Sequence, residues 1–394
     1  MYNTRQQPHR NKHPLPSDAR PAGGHIYRPT WAEINLKNFC RNIAAVRSCL
    51  RNRASIMAVV KANAYGHGSV ALSAAALKSG AAALGVSSLE EGIALRESEI
   101  KAKILILGSI FPLENLEVAA GYGLTPTISS AQGLAQLVRL GRQRRERLAF
   151  HLKVDTGMGR VGISPLSARA LLEKIAQRNE VRCEGIYTHF ACADCDREYT
   201  QSQRAAFLPV IAFAKKLGLR FDAHASNSAA LLSGGNALFD MVRPGLILYG
   251  LLPFEGAEKK IKVSPVLSWK TRIVFIKKVP RGMSISYGRT FSTSRQSLIA
   301  TLPVGYADGY SRRLSGKAHV LIRGRRCPVV GRVTMDMIMV DVTGIPGAAI
   351  GDEAVLIGTQ SGETITAEEL AARAGTINYE ITCSISSRVP RIVV

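Results

Sequence analysis

Between residues 52 and 250 the chain repeats one pattern: a short apolar run, then a stretch with apolar residues three and four apart. The runs are Ile56–Val60, Leu84–Val86, Ile104–Leu107, Thr125–Ser129, Ala149–Val154, Gly185–Thr188, Phe221–Ala225 and Asp240–Val242. Val70–Lys78, Leu89–Glu97, Pro165–Ile175 and Thr200–Leu217 carry the helical spacing between them. Ser164 before Pro165 is a helix start, a cap followed by proline at the first helical position. Eight buried strands joined by helical crossovers predict an α/β architecture, a (β/α)8 barrel, with an open doubly wound sheet as the alternative. After about Val263 the texture changes to strand-like segments broken by Gly and Pro: Val266–Val279, Ser297–Val304, His319–Val333, Met337–Thr343 and Glu353–Thr359, with one helix near Ala367–Ala374. A smaller, mostly β carboxy-terminal domain is expected there. The division is 1–25 as a basic, disordered arm, 26–262 as the barrel and 263–394 as the β-rich domain.

Composition bounds the function. The arm holds four prolines and four basic residues but no apolar segment of a secretory signal. No apolar run is long enough to span a membrane. Seven cysteines, an odd number, fit free thiols in a reducing cytoplasm. Cys192 and Cys195 form CxxC beside His189, but no second Cys/His pair stands at zinc-ligand spacing. The formal charge of +23 admits nucleic acid as a partner. Only Arg142–Arg147 forms a basic run, aromatics are sparse, and no helix-turn-helix, finger or RNP pattern occurs. Solvated helix faces account for the charge better.

Barrel enzymes act at the carboxyl ends of their strands. The first strand is followed by Lys61, the fifth by Asp155 and a glycine loop with Arg160, the sixth by His189, the seventh by Ser226-Asn227-Ser228 and the eighth by Arg243-Pro244-Gly245. A lysine at such a rim, desolvated and beside cations, exposes a neutral amine able to form a Schiff base with an aldehyde. Ser228 and Gly245 lie in the loops where barrels often bind phosphate. Lysine and phosphate loops together suggest pyridoxal phosphate (PLP); a solvated rim charge is the competing reading of the lysine. Gly157-Met158-Gly159-Arg160-Val161-Gly162 spells GxGxxG. A dinucleotide site would need an acidic residue ending a strand about 20 positions on, and Glu184 instead precedes its strand. The glycines are therefore expected to shape a turn that aims Arg160.

The wording of nine segments carries more. AVVKANAYGHG, HLKVDTGMGRVG, THFACAD, HASNSAA, VRPGLILYG, SYGRTF, PVGYADGYSR, GRVTMDMIMVD and TINYEITCSISSRVPR, in this order, resemble the PLP-dependent alanine racemases of fold type III. The resemblance runs over residues 26–394. It implies a (β/α)8 barrel followed by a β domain, and racemisation of L- and D-alanine by two bases, Lys61 and Tyr287. It implies that Lys61 holds PLP, that Tyr65, Ser228, Gly245, Leu246 and Tyr379 contact its phosphate with Asn227 beside them, and that Arg243 faces the pyridine nitrogen, supported by His189. Arg160 and the backbone N–H of Met335 would hold the substrate carboxylate. Tyr306 and Tyr379 would narrow the entrance, with Asp194, Arg312, Arg332 and Ile377 further out. Lys153 matches a position that is carbamylated in some members. The β domain would complete the site of a second subunit in a homodimer. A racemase of broader specificity and a non-catalytic PLP carrier are the alternatives; the β domain with Tyr287 counts against the carrier. From the residues alone, His67 can be a turn former or take a direct role, Tyr249 core, Asp308 a cap or an orienter, and His224, like Asn227, a supporting group or a direct contact beside the phosphate loop.

Overall fold

The computed structural model describes residues 27–51, 53–233 and 238–394. The amino-terminal arm, expected over 1–25, lies outside the described residues. The first described strand, β1 (Thr30–Ile34), leads into a helix, Leu36–Leu50. Asn35 caps that helix by accepting from Asn38 N–H, and Phe39, Asn42, Ile43, Val46 and Leu50 form its buried stripe. Eight parallel strands then close a barrel: β2 (Ser55–Val59), β3 (Ala83–Val86), β4 (Ile104–Ser109), β5 (Thr125–Ile128), β6 (Leu148–Lys153), β7 (Val181–Tyr187), β8 (Asp222–His224) and β9 (Met241–Val242). Closure is made by β2 pairing with β9, Ser55 opposite Met241 and Ile56 opposite Val242. All eight strands stand where the apolar runs predicted them, with ends shifted by a few residues, so the open-sheet alternative is excluded.

Met57, Ala83, Leu105 and Met241 fill the interior as a small apolar cluster of their own. Elsewhere in the barrel buried polar groups appear: Thr127, His151, Lys153, His224 and Arg243. Such groups are tolerated inside only when bonded to one another, which foreshadows a functional network.

After the barrel, β10 (Leu267–Arg272) begins the carboxy-terminal sheet. Val266–Val279, expected as one strand, is two, because the chain turns at Ile273-Val274 before Phe275–Val279. His319–Val333 is likewise a hairpin of His319–Ile322 and Arg325–Val330. Residues 26–262 do not all belong to the barrel. Thr30–Ile34 pairs antiparallel with β10 and parallel with Arg391–Val393, so both ends of the described chain sit in the carboxy-terminal sheet.

Candidate active site

Lys61 ends the exit from β2 and opens a turn in which Ala62, Asn63, Ala64 and Tyr65 have φ of 52°, 51°, 53° and 54°. This turn, the loops after β6, β7, β8 and β9, and the helix Asn378–Ser384 of the second domain surround a cavity of about 570 Å³. Of the residues selected from sequence, Lys61, Tyr65, Lys153, Arg160, His189, Asp194, Asn227, Ser228, Arg243, Gly245, Leu246 and Tyr379 line it.

The floor is organised by Arg243, which is 4% exposed. Its Nη2 donates to the carbonyls of Thr188 (2.8 Å) and Ala225 (3.0 Å) and to His189 Nδ1 (3.2 Å), and its Nη1 to His224 Nδ1 (2.8 Å). A guanidinium only donates, so both Nδ1 atoms accept and the ring protons sit on Nε2. His224 Nε2 then donates to His151 Nδ1 at 2.9 Å, extending the chain below the floor. Burial, followed by the charge of Arg243, holds the imidazoles of His189 and His224 well below the usual histidine range. Burial lowers Arg243 itself to about 10, which leaves it cationic at neutral pH. His224 is thus a supporting group.

Tyr187, inside the sixth barrel strand and not among the residues the sequence singles out, is central here. Its ring stacks on His224 at 4.7 Å, lies 4.5 Å from Lys153 Nζ and 5.1 Å from the Arg243 guanidinium, and its hydroxyl bonds Thr127 at 2.7 Å. The signal available was its place at the carboxyl end of the sixth barrel strand, two residues ahead of His189. Lys153 is nearly buried, and burial, then Arg243 and Arg160, push its pKa well below the ordinary lysine value. Lys61 is lowered by burial, then Arg160, with Arg243 acting in the same sense.

The GxGxxG loop is closed at its base by Asp155 N–H to Ile163 O (2.9 Å) and Ile163 N–H to Lys153 O (3.0 Å). Inside it the Asp155 carboxylate accepts from the N–H groups of Gly157, Met158 and Gly159. Burial raises its pKa, but those bonds and Lys153 prevail and hold it low. The inward-turned amides are consumed by a side chain of the loop itself, so they shape a turn carrying Arg160 to the cavity.

A phosphorylated aldehyde fits this lining. Beside Ser228 and Tyr65 the wall is glycine: a Cβ on Gly245 would stand 2.4 Å from Tyr65 Oη. Ser228 Oγ accepts from Gly245 N–H (3.1 Å) and Ile247 N–H (3.3 Å), shaping the backbone turn there. Asn227 caps Ser228–Leu232 by accepting from Ala230 N–H. Hydroxyls, backbone and a desolvated lysine are the donor set that a phosphate and a carbonyl carbon require.

Tyr287, Tyr306, Arg312, Arg332, Met335 and Ile377 do not line the cavity. Tyr287 is 72% exposed, Met335 52%, Ile377 48% and Tyr306 42%. Five of these six come from neighbouring loops of the β domain. Tyr306 N–H donates to Thr334 O and Ala307 N–H to Met335 O, while Ser286 Oγ donates to Arg332 O. Asp308 is both cap and orienter: its carboxylate accepts from Gly305 N–H and takes a fork from Arg28. Tyr249 is core, its hydroxyl donating to Val59 O. His67 packs against Tyr249 with the rings tilted by 35° and their centroids 4.7 Å apart, and bonds Tyr65 O, a buried turn former. Cys192 and Cys195 are free thiols in the loop before Arg197–Lys216. Among the described residues, no group of three or more His, Cys, Asp or Glu side chains could hold a metal ion.

Comparison with known proteins agrees with this geometry. The family "Alanine racemase, N-terminal domain" matches residues 34–253, and "Alanine racemase, C-terminal domain" matches 266–393. An alanine racemase of Halothermothrix orenii is 46% identical over 93% of this chain and 97% of its own length. That of Symbiobacterium thermophilum is 48% identical over 92% and 97%. The alanine racemase of Bacillus anthracis with bound L-Ala-P superposes with a TM-score of 0.87 at 38% identity, covering 94% of this chain and 96% of that one. The Clostridium difficile 630 structure gives 0.88 at 36% identity, covering 94% and 97%. Two domains matched end to end, on a barrel whose rim lysine faces an arginine–histidine floor, place this chain in the PLP-dependent alanine racemase family.

Proposed function

We propose that the chain interconverts L- and D-alanine, supplying D-alanine for peptidoglycan, with Lys61 and Tyr287 as the two bases. The observation that carries this reading is Lys61, a lysine lining the cavity whose pKa burial and Arg160 hold below the ordinary value. Racemisation removes the α-proton on one face and returns it on the other, so two groups on opposite faces are required. PLP, when bound, supplies the conjugated ring that acidifies the Cα–H of the amino acid joined to it. Tyr65, Ser228, Gly245, Leu246 and Tyr379 would hold its phosphate, with Asn227 beside them. Arg243 would face the pyridine nitrogen; a donor-only cation leaves that nitrogen unprotonated and restrains side reactions such as transamination. Arg160 and Met335 N–H would hold the substrate carboxylate.

Tyr287 belongs to the other half of the site. Its exposure, with that of Met335 and Tyr306, supports a homodimer in which the β domain of one subunit faces the cavity of the other. His189, its Nδ1 taken by Arg243, would turn its Nε2–H toward Tyr287 of the partner subunit and stabilise the phenolate. Tyr306, Tyr379, Asp194, Arg312, Arg332 and Ile377 would form the entrance, selecting a methyl side chain by exclusion. Lys153 would be carbamylated: the neutral amine that its lowered pKa favours adds CO2 and releases a proton, giving an anion to pair with Arg160. The seven free thiols support a cytoplasmic location, and no described helix is long and apolar enough to cross a membrane. The +23 charge is read as solvated surface without a nucleic-acid partner.

A chiral assay over a panel of amino acids tests the reading. Alanine is turned over in both directions by the wild type. Lys61→Ala abolishes turnover together with the visible absorption of the bound cofactor. Tyr287→Phe loses about 10²–10⁴-fold, the usual contribution of a positioned acid–base group, with the two directions affected unequally. Absence of alanine turnover sinks the reading, and comparable turnover of larger amino acids replaces it with broader specificity.

A further inference from the structure

Ser88-Leu89-Glu90-Glu91 has the spacing of a capping box, in which the carboxylate at the third helical position reaches back to the amide of the cap. Ser88 plays its part: its hydroxyl caps Leu89–Glu97 by accepting from Glu91 N–H. The Glu91 carboxylate goes elsewhere. Oε1 accepts from Ala62 N–H at 2.6 Å, and Oε2 accepts from Ser87 N–H at 2.8 Å and Ser87 Oγ at 3.0 Å.

Ala62 is the residue after Lys61 and the first of four successive non-glycine residues in the left-handed region. Each sets its Cβ against a carbonyl oxygen, a conformation that L-residues avoid and that survives only where the surroundings over-determine it. The far end of the turn is held by other groups. Asn63 Oδ1 accepts from Ser69 N–H at 2.7 Å, Arg391 Nε donates to Gly66 O at 3.0 Å, and a Cβ on Gly66 would stand 2.0 Å from Thr382 O. Glu91 grips the near end, one residue from the amine-bearing side chain.

We propose that Glu91 is a positioning residue for Lys61: its carboxylate, diverted from capping its own helix, clamps the start of the left-handed turn and so sets where the Lys61 amine stands in the cavity. The inference rests on the role given to Lys61 above. The same carboxylate also acts through space. Lys61 is faced by Arg160 from the loop after β6, Arg243 after β9, Cys383 from Asn378–Ser384 and Glu91 from Leu89–Glu97; burial and the two arginines lower its pKa, while Glu91 and Cys383 raise it.

The test compares holoenzymes of wild type, Glu91→Ala, Glu91→Gln and the control Glu90→Gln, whose side chain is exposed on the same helix. Glu91→Ala is expected to lower kcat about 100-fold, the scale of an ångström misplacement, with KM for alanine moving less than about threefold. Glu91→Gln, which keeps an acceptor for Ala62 N–H, falls between. Both speed hydrogen exchange at the Ala62 amide, and both move the acid limb of kcat to lower pH, because Lys61 loses a charge that raises its pKa. Glu90→Gln matches wild type throughout. Unchanged kcat overturns the proposal, as does a lower kcat with normal exchange at Ala62 and an unmoved limb, which would leave Glu91 a structural helix residue. Glu91→Gln is the isosteric change and decides the matter if Glu91→Ala unfolds. A wild type that fails to racemise alanine defeats the proposed function instead, and the exchange measurement still judges the clamp.

Discussion

Buried histidines at single positions tie this molecule's stability to pH. His67 is held near 4 by burial beneath Tyr249, and His151 near 4 by burial below the Arg243 floor. The unfolded chain takes up a proton at each once pH falls below about 6.5, whereas the folded chain does so only near 4. The folded state is therefore fully favoured above about 6.5 and loses stability as pH falls from there to 4, by on the order of 3 kcal/mol for each site. Denaturant unfolding at pH 7, 5.5 and 4.5 should show this decline, with a shallower slope for His67→Gln. A flat profile would mean that both are protonated in the folded state as readily as in the unfolded chain. In the sequence His67 has more than one reading and His151 gives no signal at all, because a histidine's neighbours, not its own chemistry, decide between ligand, base and core.

Among the loop elements, the glycine turn after β6 shows how one motif can be spelled alike and built differently. Gly162 has φ of 139°, and a Cβ there would stand 2.6 Å from Asp155 N, in backbone that cannot yield. Gly159 has φ of 70° with nothing within 4 Å of its would-be Cβ. Gly159→Ala should cost about 1 kcal/mol, the ordinary left-handed penalty, and keep most activity. Gly162→Ala should break the base of the loop and lose the Arg160 contribution. Steady-state kinetics with thermal melts distinguishes the pair, and equal effects would contradict this account of the turn. The barrel strands were legible because each is an apolar run bounded by turn residues, and the helix at Ala367–Ala374 because its apolar spacing is regular. The strand Thr30–Ile34 was not: five residues, TWAEI, carry no local sign that their antiparallel partner lies at Leu267–Arg272.

At the scale of the whole molecule, the described amino-terminal segment is tied to the loops of the second domain by one buried charge. Asp308 is 0% exposed in its side chain and takes both Arg28 nitrogens at 2.5 Å, with Arg388 Nε at 3.5 Å. Its turn carries Tyr306, and Arg28 Nη2 also reaches Asp336 O, beside Met335. Arg28→Ala would strand a buried carboxylate and should destabilise the protein by about 3 kcal/mol, the lower end for a broken buried pair because Arg28 is itself 31% exposed. Arg28→Lys should recover part of that, since ammonium cannot fork onto a carboxylate. Unchanged unfolding of Arg28→Ala would assign the load to Arg388.

The sequence by itself determined the alternation that closes as a barrel, the β texture that follows, the family, and the residues lining the cavity from Lys61 to Tyr379. The alternation and Lys61, Arg160, His189, Ser228, Arg243 and Gly245 follow from local periodicity and from strand ends, where a (β/α)8 fold must present its chemistry; the family, and with it Tyr65, Asp194, Leu246 and Tyr379, follow from the resemblance of nine segments. Only the tertiary structure decided the rest. It brought Tyr187 between Lys153 and His224, set the tautomers of His189 and His224 from a donor-only guanidinium, and drew Glu91 away from its own cap to the turn after Lys61. It also put the first described strand in the last sheet and left Tyr287 exposed, outside the lining of the cavity of its own chain. The reason is physical: a side chain's partner, its burial and hence its protonation are properties of contacts between segments far apart in sequence, and no local pattern encodes them.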